Sequence, residues 1–591
     1  MFALDVLFKA AIVMSVISTA LGQQQVFRDD TALDGGTVKR VITPELTEFT
    51  EKIMRDYNMS GLTLGVVHSN DAVEHGAFGR KTEDNDEMTA DTLFVIASCS
   101  KAFLASAMGI LIDDFAQGKN RTPLPPGVQR LDWHTKLVDL LPDDWQLMDE
   151  WTSQRATIRD ILSHQSGLPR HEVSYRADQT PIDVVRQLRH LRPAFELRQR
   201  WHYNNQFYMT GAHIISTLSG MPYMEFVKER ILDPLGMTST TFDPEEAARG
   251  GRLTQTWTAD GRRLPVWFTG NTVELAAGAG GVISSAVDMT KWLRTLLNAG
   301  LDPVTNKTII PREAFDTMTA SHSLAMTKPA ASWFSVLTYG MGWKIMSYQG
   351  HNIWWHSGGL PGISTQVFFL PDSGLGLAVL CNGSDKQQYE LAIVYRIIED
   401  FLALERKHSE WLLASFGTSG AQQLESPDPS DGLATPSAPL SLPLDHYTGT
   451  YYDPGYGNFT LCAPSANPPE ACADVLRAWS FFEGTTDTTR PVLYTAISSL
   501  WATHFRLEHK SGDTFTLSGT YLFPHGYGKD KSPFQFRDSE AQATAEFMIE
   551  DAGDGPKVLG VALNGFVGET TELQRIGGTI EEMAEVWLAK S

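Results

Sequence analysis

The amino-acid sequence predicts an α/β sheet domain holding an all-helical insertion, followed by an all-β module. Three observations carry this. Strand-like runs sit at both ends of residues 44–404, with helical patterns between them. Residues 415–443 are rich in Pro, Ser, Gly and Ala, the composition of a connector. Beyond them, short β-like runs alternate with turn residues at the spacing of a barrel or a sandwich. A chain of 591 residues also exceeds one ordinary core, so two or more domains are expected.

The chain opens with Lys9 ahead of an apolar run, 10–17, and small residues at Ala20 and Gly22. This reads as a secretory signal over 1–22, giving a secreted, extracellular protein that starts near Gln23. Apolar positions at helical spacing predict a helix at 44–57; 62–68 reads as a strand and 72–78 as its hairpin partner. The apolar run 93–96 leads into Ala97-Ser98-Cys99-Ser100-Lys101, and 102–111 is apolar on nearly all sides, as a buried helix would be. From about 124 to 260 the patterns are helical, including a short helix at 157–164 stopped by Ser166-Gly167-Leu168-Pro169 and another at 226–235. A helix follows at 286–297, then strands at 353–355, 366–370 and 376–380, then a long amphipathic helix at 388–404. The first domain therefore spans 23–412, the connector 413–442 and the β-rich module 443–591. Strands of the module are expected at 447–452, 458–461, 502–508, 514–522, 544–549 and 558–563.

A net charge of −22 with few basic clusters argues against nucleic acid or an anionic membrane as partner. No segment after the first is long and apolar enough to cross a bilayer, so no stable membrane association is expected. The chain has neither a His-Glu-x-x-His motif nor a clustered Cys/His set, so no metal or other cofactor is expected. A Gly-x-Ser-x-Gly nucleophile elbow is also missing. Cys462 and Cys472 lie close together with prolines between them, as a local disulfide would, whereas Cys99 and Cys381 read as buried thiols. Asn58, Asn120, Asn306, Asn382 and Asn458 each begin a glycosylation sequon.

Ser98 is the only serine in the chain with a lysine three residues on. At the start of a helix the pair shares one face, and the helix N-terminus offers free N–H groups to a negative oxygen. A serine nucleophile with an amine as proton acceptor needs that arrangement. Taken alone, the spacing is more often a capping serine with a solvated lysine. Two further motifs change the odds: Tyr203-Asn204-Asn205 in the helical region, and His356-Ser357-Gly358-Gly359 just before an expected strand.

In order and spacing these three motifs resemble the serine β-lactamase and penicillin-binding protein superfamily. The tyrosine that opens the second motif resembles the class C branch (peptidase family S12), with its DD-carboxypeptidases, D-aminopeptidases and esterases. Residues 158–169, Pro234-Leu235-Gly236-Met237, residues 280–285 and Gly340-Met341-Gly342-Trp343 also resemble segments of that family, so the likeness covers about 44–404. The resemblance implies a β-lactamase/transpeptidase-like fold, an antiparallel sheet flanked by helices. It also implies a serine hydrolase acting on a small-molecule or peptide substrate through a Ser98 acyl-enzyme. Lys101 and Tyr203 then form a coupled pair, either of which can be the acylation base. Asn205 is expected to hold Lys101 and a substrate amide. The backbone N–H groups of Ser98 and Gly359 are expected to hold the oxyanion, and Gly358 to let substrate backbone approach the strand.

His356 departs from the lysine common in β-lactamases and DD-peptidases, and resembles the D-aminopeptidase and esterase branches. Imidazole is a weaker anchor for a substrate carboxylate. Peptide, amide or ester substrates are therefore expected ahead of β-lactams. A β-lactamase, DD-carboxypeptidase or acyltransferase is the alternative, and a non-catalytic binding protein on the same fold is the third reading. Tyr456-Gly457-Asn458 and Lys510-Ser511-Gly512 mimic two of the motifs but fall in the β-rich module, where turn roles are expected. That module, through its 447–451 start, resembles the lipocalin-like C-terminal domain of some archaeal and fungal members. The sequence leaves its role and the oligomeric state open.

Overall fold

Gly61–His68 (β1) is buried at all eight positions, so it must lie centrally in a sheet covered on both faces. In the computed structural model, which describes residues 40–68, 71–422, 438–482, 490–537, 543–553, 555–567 and 578–591, β1 does so. It joins Ala72–Gly79 (β2), Ser323–Met326 (β3), Leu337–Tyr339 (β4), Lys344–Tyr348 (β5), His351–Leu360 (β6), Ile363–Leu370 (β7) and Leu375–Cys381 (β8). The order is β2-β1-β8-β7-β6-β5-β4-β3, antiparallel throughout. Strands from the two ends of the domain thus pair with each other, Leu64 opposite Val379.

One face of the sheet is covered by Pro44–Asp56 (α1) and, later in the chain, by Gln387–Phe401. The other is covered by Ala286–Leu297, whose Trp292 and Leu293 are fully buried. Between β2 and β3 lies the helical region, built around Lys101–Ala116 (α2) and Gln206–Ser219 (α3). Residues 101–111 of α2 are all buried, consistent with a run that has no polar face. The helix Asn271–Gly280 (α4) escaped the sequence reading because its small residues, Ala276 to Gly280, give little periodic signal.

The β-rich module is an antiparallel barrel. Its strands are Gly449–Asp453 (β9), Gly457–Leu461 (β10), Val492–Ala496 (β11), His504–Ser511 (β12), Thr514–Phe523 (β13), Ala543–Ala552 (β14), Gly555–Asn564 (β15) and Val586–Lys590 (β16). They run in the order β10-β9-β16-β15-β14-β13-β12-β11. Cys462 and Tyr494 then exchange both backbone hydrogen bonds, at 2.8 and 2.9 Å, so the two ends of that order meet. Beside this seam Cys462 is disulfide-bonded to Cys472. The short strands β11 and β16 were not read from the sequence; each needs its barrel neighbours to bury its alternate residues.

The barrel sits on the helical region. Arg176 and Ser499 form an antiparallel bridge, Trp267 packs edge-on against Tyr521, and Arg192 donates to the carbonyl oxygens of Glu581 and Ala584. Tyr456, which mimics a motif tyrosine in sequence, donates or accepts a 2.6 Å hydrogen bond with His171 across this junction.

Three expectations need comment. The signal segment 1–22 and residues 423–437 of the expected connector lie outside the described residues. The start of that connector is helical instead: Lys407–Gln422 continues the domain because Leu412 and Phe416 are buried, Phe416 against Tyr57 and Tyr389. Asn382 is corrected as a glycosylation site. It is fully buried, and its side-chain nitrogen donates to Arg80 O at 3.0 Å and Thr254 Oγ1 at 2.9 Å. Asn58, Asn120, Asn306 and Asn458 are exposed.

Candidate active site

The Ser98 stretch is a single 3₁₀ turn, Ala97–Ser100, that runs directly into α2. Ala97 takes a left-handed backbone with φ +47°, a conformation that costs a residue with a Cβ about 1 kcal/mol or more. Packing holds it there. The Cys99 thiol donates to His356 O at 3.3 Å, Thr365 Oγ1 donates to Ile96 O at 3.0 Å, and Ser100 Oγ accepts from Val282 N at 3.0 Å. Cys99 therefore fastens the turn to β6; its thiol is buried and pushed up to about 12, which removes it as a nucleophile.

One turn on, Lys101 is completely buried. Its Nζ lies 3.1 Å from Ser98 Oγ, 2.7 Å from Asn205 Oδ1 and 2.6 Å from Ala279 O. Burial drives its pKa well below the ordinary lysine value; the Glu172 carboxylate pulls it up again and the Arg170 guanidinium pushes it further down. A neutral amine satisfies all three contacts. Its two N–H groups donate to Asn205 Oδ1 and Ala279 O, and its lone pair accepts the Ser98 hydroxyl.

Tyr203 completes the triangle, donating from its phenol to Ser98 Oγ at 2.8 Å. Burial raises its pKa above the ordinary phenol value, although the Ser98 hydrogen bond and Arg170 act the other way. Desolvation thus outweighs the neighbouring cation. The His164 ring packs against this phenol with centroids 4.5 Å apart, and Tyr208 and Tyr339 pack against His164 in turn.

Asn205, at the start of α3, bridges two groups. Its oxygen takes Lys101 and its nitrogen donates to Glu172 Oε1 at 2.9 Å. Glu172 in turn accepts from the Tyr175 hydroxyl, and Trp501 of the barrel donates to that hydroxyl at 2.5 Å. Glu172, Tyr175 and Trp501 were not found from sequence, because they lie in loops without periodicity or motif.

His356 comes from β6 but lies behind the site, 1% exposed. Its ring nitrogens meet Tyr339 Oη at 3.1 Å and Ser357 O at 2.7 Å, and its ring packs against that of Tyr203 with centroids 6.3 Å apart. Burial, then Lys344 and Lys101, hold its pKa well below 6.5, and the ring is neutral. On the same strand Gly358 is buried and Gly359 exposed. Because β5 pairs with β6 only as far as Trp355, residues 356–360 have, among the described residues, a strand partner on the β7 side alone. Gly359 lines a cavity of about 420 Å³ with Ser98, Tyr203 and Asn205. The described residues contain no cluster of His, Cys, Asp and Glu able to hold a metal.

A serine hydroxyl between a neutral amine and a phenol, facing an open strand edge at the mouth of a cavity, is equipped for acyl transfer. Comparison with known proteins agrees with that chemistry. The Beta-lactamase family profile matches residues 46–399. The chain belongs to the Beta-lactamase family. Its relatives include an unguisins hydrolase of Aspergillus campestris, 29% identical over 71% of this chain and 77% of that one. An unguisins hydrolase of Aspergillus violaceofuscus is 26% identical over 93% and 92% of the two chains, barrel included. Among solved structures, the octameric penicillin-binding protein homologue from Pyrococcus abyssi covers 88% of this chain and 97% of its own, at TM-score 0.52 and 18% identity. The match over both halves carries the fold. The family is one of β-lactamase-fold serine hydrolases, and this chain has its antiparallel sheet, its helical region and an added β-barrel.

Proposed function

We propose that this protein, of the class C-like S12 type, hydrolyses peptide, amide or ester bonds through an acyl-enzyme on Ser98. The observation that carries the reading is the Lys101 environment, three partners that a neutral amine satisfies in a fully buried site. Lys101 takes the Ser98 proton as Oγ attacks the carbonyl carbon, and the N–H groups of Ser98 and Gly359 receive the oxyanion. The Tyr203 phenol, beside Ser98 Oγ, gives its proton to the leaving nitrogen or oxygen. The resulting phenolate faces two cations, Lys101 at 4.9 Å and Arg170 at 5.4 Å from the ring. In deacylation water gives a proton to the phenolate and attacks the ester. Lys101 then returns its proton to Ser98 Oγ, and the cycle closes with every proton accounted for.

The neutral His356, engaged by Tyr339, supports a D-aminopeptidase- or esterase-like preference, since it supplies no cation for a substrate carboxylate. The fungal relatives' names make unguisins the first natural compounds to test. The test is covalent labelling with a fluorophosphonate in wild type and Ser98→Ala, followed by turnover of nitrophenyl esters, D-amino acid anilides and unguisins. Labelling that persists in Ser98→Ala refutes the nucleophile. Turnover of a chromogenic cephalosporin alone replaces the substrate assignment by a β-lactamase. Secretion belongs to the same proposal; N-terminal sequencing of protein from the medium should begin near Gln23.

A further inference from the structure

The cavity beside Ser98 does not end at the catalytic domain. Its polar end holds Ser98, Tyr203 and Asn205, with Arg170 and Glu172 as the only charged side chains among the described residues of its wall. Its far end is made by the barrel: Trp501, Phe505, Leu517 and Phe566 turn toward it, with the small residues Ala502 and Ala543 between them. Close-packed interiors do not leave about 420 Å³ open along an apolar wall, and a barrel serving only as a stabilising module would fill it with larger side chains. The small residues keep it open. Gly519 does the same, since a Cβ there would stand 2.8 Å from the Phe505 ring and 3.0 Å from Ala502 Cβ. The size is that of a ligand site rather than a packing fault.

The barrel end is also fixed relative to the nucleophile. Trp501 donates to Tyr175, Tyr175 to Glu172, and Asn205 links Glu172 to Lys101. The backbone of Leu500 donates to Tyr175 O at 3.4 Å. A group attached to a carbonyl at Ser98 therefore meets a wall whose position is set by hydrogen bonds to the catalytic residues.

We propose that the barrel supplies the apolar subsite of the active site, taking a large, uncharged aliphatic or aromatic group of the substrate next to the bond that is cleaved. This rests on Ser98 being the nucleophile. Substrate selection is then shared between domains: the catalytic domain breaks the bond, and the barrel chooses what is attached to it. Short acyl groups leave the barrel end empty, and charged ones find no partner among the described residues there.

The test compares two fluorophosphonates with the same reactive phosphorus, one bearing an ethyl and one a decyl chain. In each, a Ser98 Oγ–phosphorus bond forms, fluoride leaves and the hydroxyl proton passes to Lys101. The decyl reagent should label wild type faster. Ala543→Leu, which narrows the barrel end, should lower the decyl-to-ethyl rate ratio by about tenfold, the usual scale for crowding an apolar pocket. Phe566→Ala, which removes one ring from the wall at a loop, should lower it several-fold and covers the case in which Ala543→Leu does not fold. An equal ratio in wild type and both variants overturns the subsite while leaving the nucleophile intact. If neither reagent labels Ser98, the nucleophile reading fails, and the subsite is judged by calorimetry of N-decanoyl-alanine amide on the Ser98→Ala protein. Binding weakened by Phe566→Ala upholds the subsite, and binding unaffected by it, or no binding, overturns it.

Discussion

Replacing Glu172 by Gln should move the acid limb of the pH–rate profile to lower pH. The carboxylate is joined to Lys101 through one amide: 2.9 Å from Glu172 Oε1 to Asn205 Nδ2, and 2.7 Å from Asn205 Oδ1 to Lys101 Nζ. The charges are therefore at most about 8 Å apart, worth ~2 kcal/mol at an effective dielectric of 20 and ~0.5 kcal/mol at that of water. The sign follows from which form the charge favours. Glu172 stabilises protonated Lys101, so its pKa drops when the charge is removed. The general base is active only when unprotonated, so activity in Glu172→Gln should persist to lower pH. The assay is kcat/KM for a nitrophenyl ester from pH 4 to 9. Tyr175→Phe is the control, since it removes the hydroxyl that donates to Glu172 without changing charge, and its limb should stay in place. A limb that stays fixed in Glu172→Gln, or moves up, refutes Lys101 as the group that titrates.

Tyr203→Phe removes the proton donor beside Ser98 Oγ, and amide turnover should drop roughly 10²–10⁴-fold. In kcat/KM, which reports acylation alone, nitrophenyl esters, whose leaving group departs without a proton, should lose much less than amides, and equal losses on both substrates would argue that the phenol only positions the serine. Gly358→Ala should destabilise the fold by about 1–3 kcal/mol and slow Ser98 labelling, both measurable on one preparation by thermal melting and a probe assay. The added Cβ would stand 2.1 Å from Thr365 Oγ1 and 2.4 Å from Ile96 O, at the root of the turn that carries Ser98. Acid should loosen the junction between barrel and catalytic domain. Burial holds His171 at about 4, so between there and 6.5 the unfolded chain binds a proton that the folded one does not. Stability then rises with pH across this window and is lost as pH falls through it, by ~2 kcal/mol from this ring between pH 6.5 and 4.5. Urea midpoints at pH 7 and 4.5 should converge in His171→Gln; an unchanged gap would place the acid sensitivity elsewhere.

Much of this protein is legible in its sequence. Local pattern determined the elements that have one face or none: the helix at Ala286–Leu297 has the predicted bounds, and the buried character of α2 follows from a run with no polar side. The order and spacing of three motifs, around Ser98, Tyr203 and His356, pointed to the fold through their resemblance to the serine β-lactamase and penicillin-binding protein superfamily. What only the tertiary structure decided depends on distance through space. His356, which in sequence stands where a cation would face substrate, is withdrawn behind Tyr339 and kept neutral, because whether an imidazole is wet or dry is set by everything packed around it. The protonation of Lys101 is decided in the same way, by burial and by Glu172, a residue with no motif. Trp501 lies about four hundred positions from Ser98 yet shares its cavity, because the barrel docks on the loop that carries Tyr175. Sequence pattern reports which residues are buried and which are reactive; contact between distant segments decides what they are buried against, and that sets both the proton positions and the substrate side of this site.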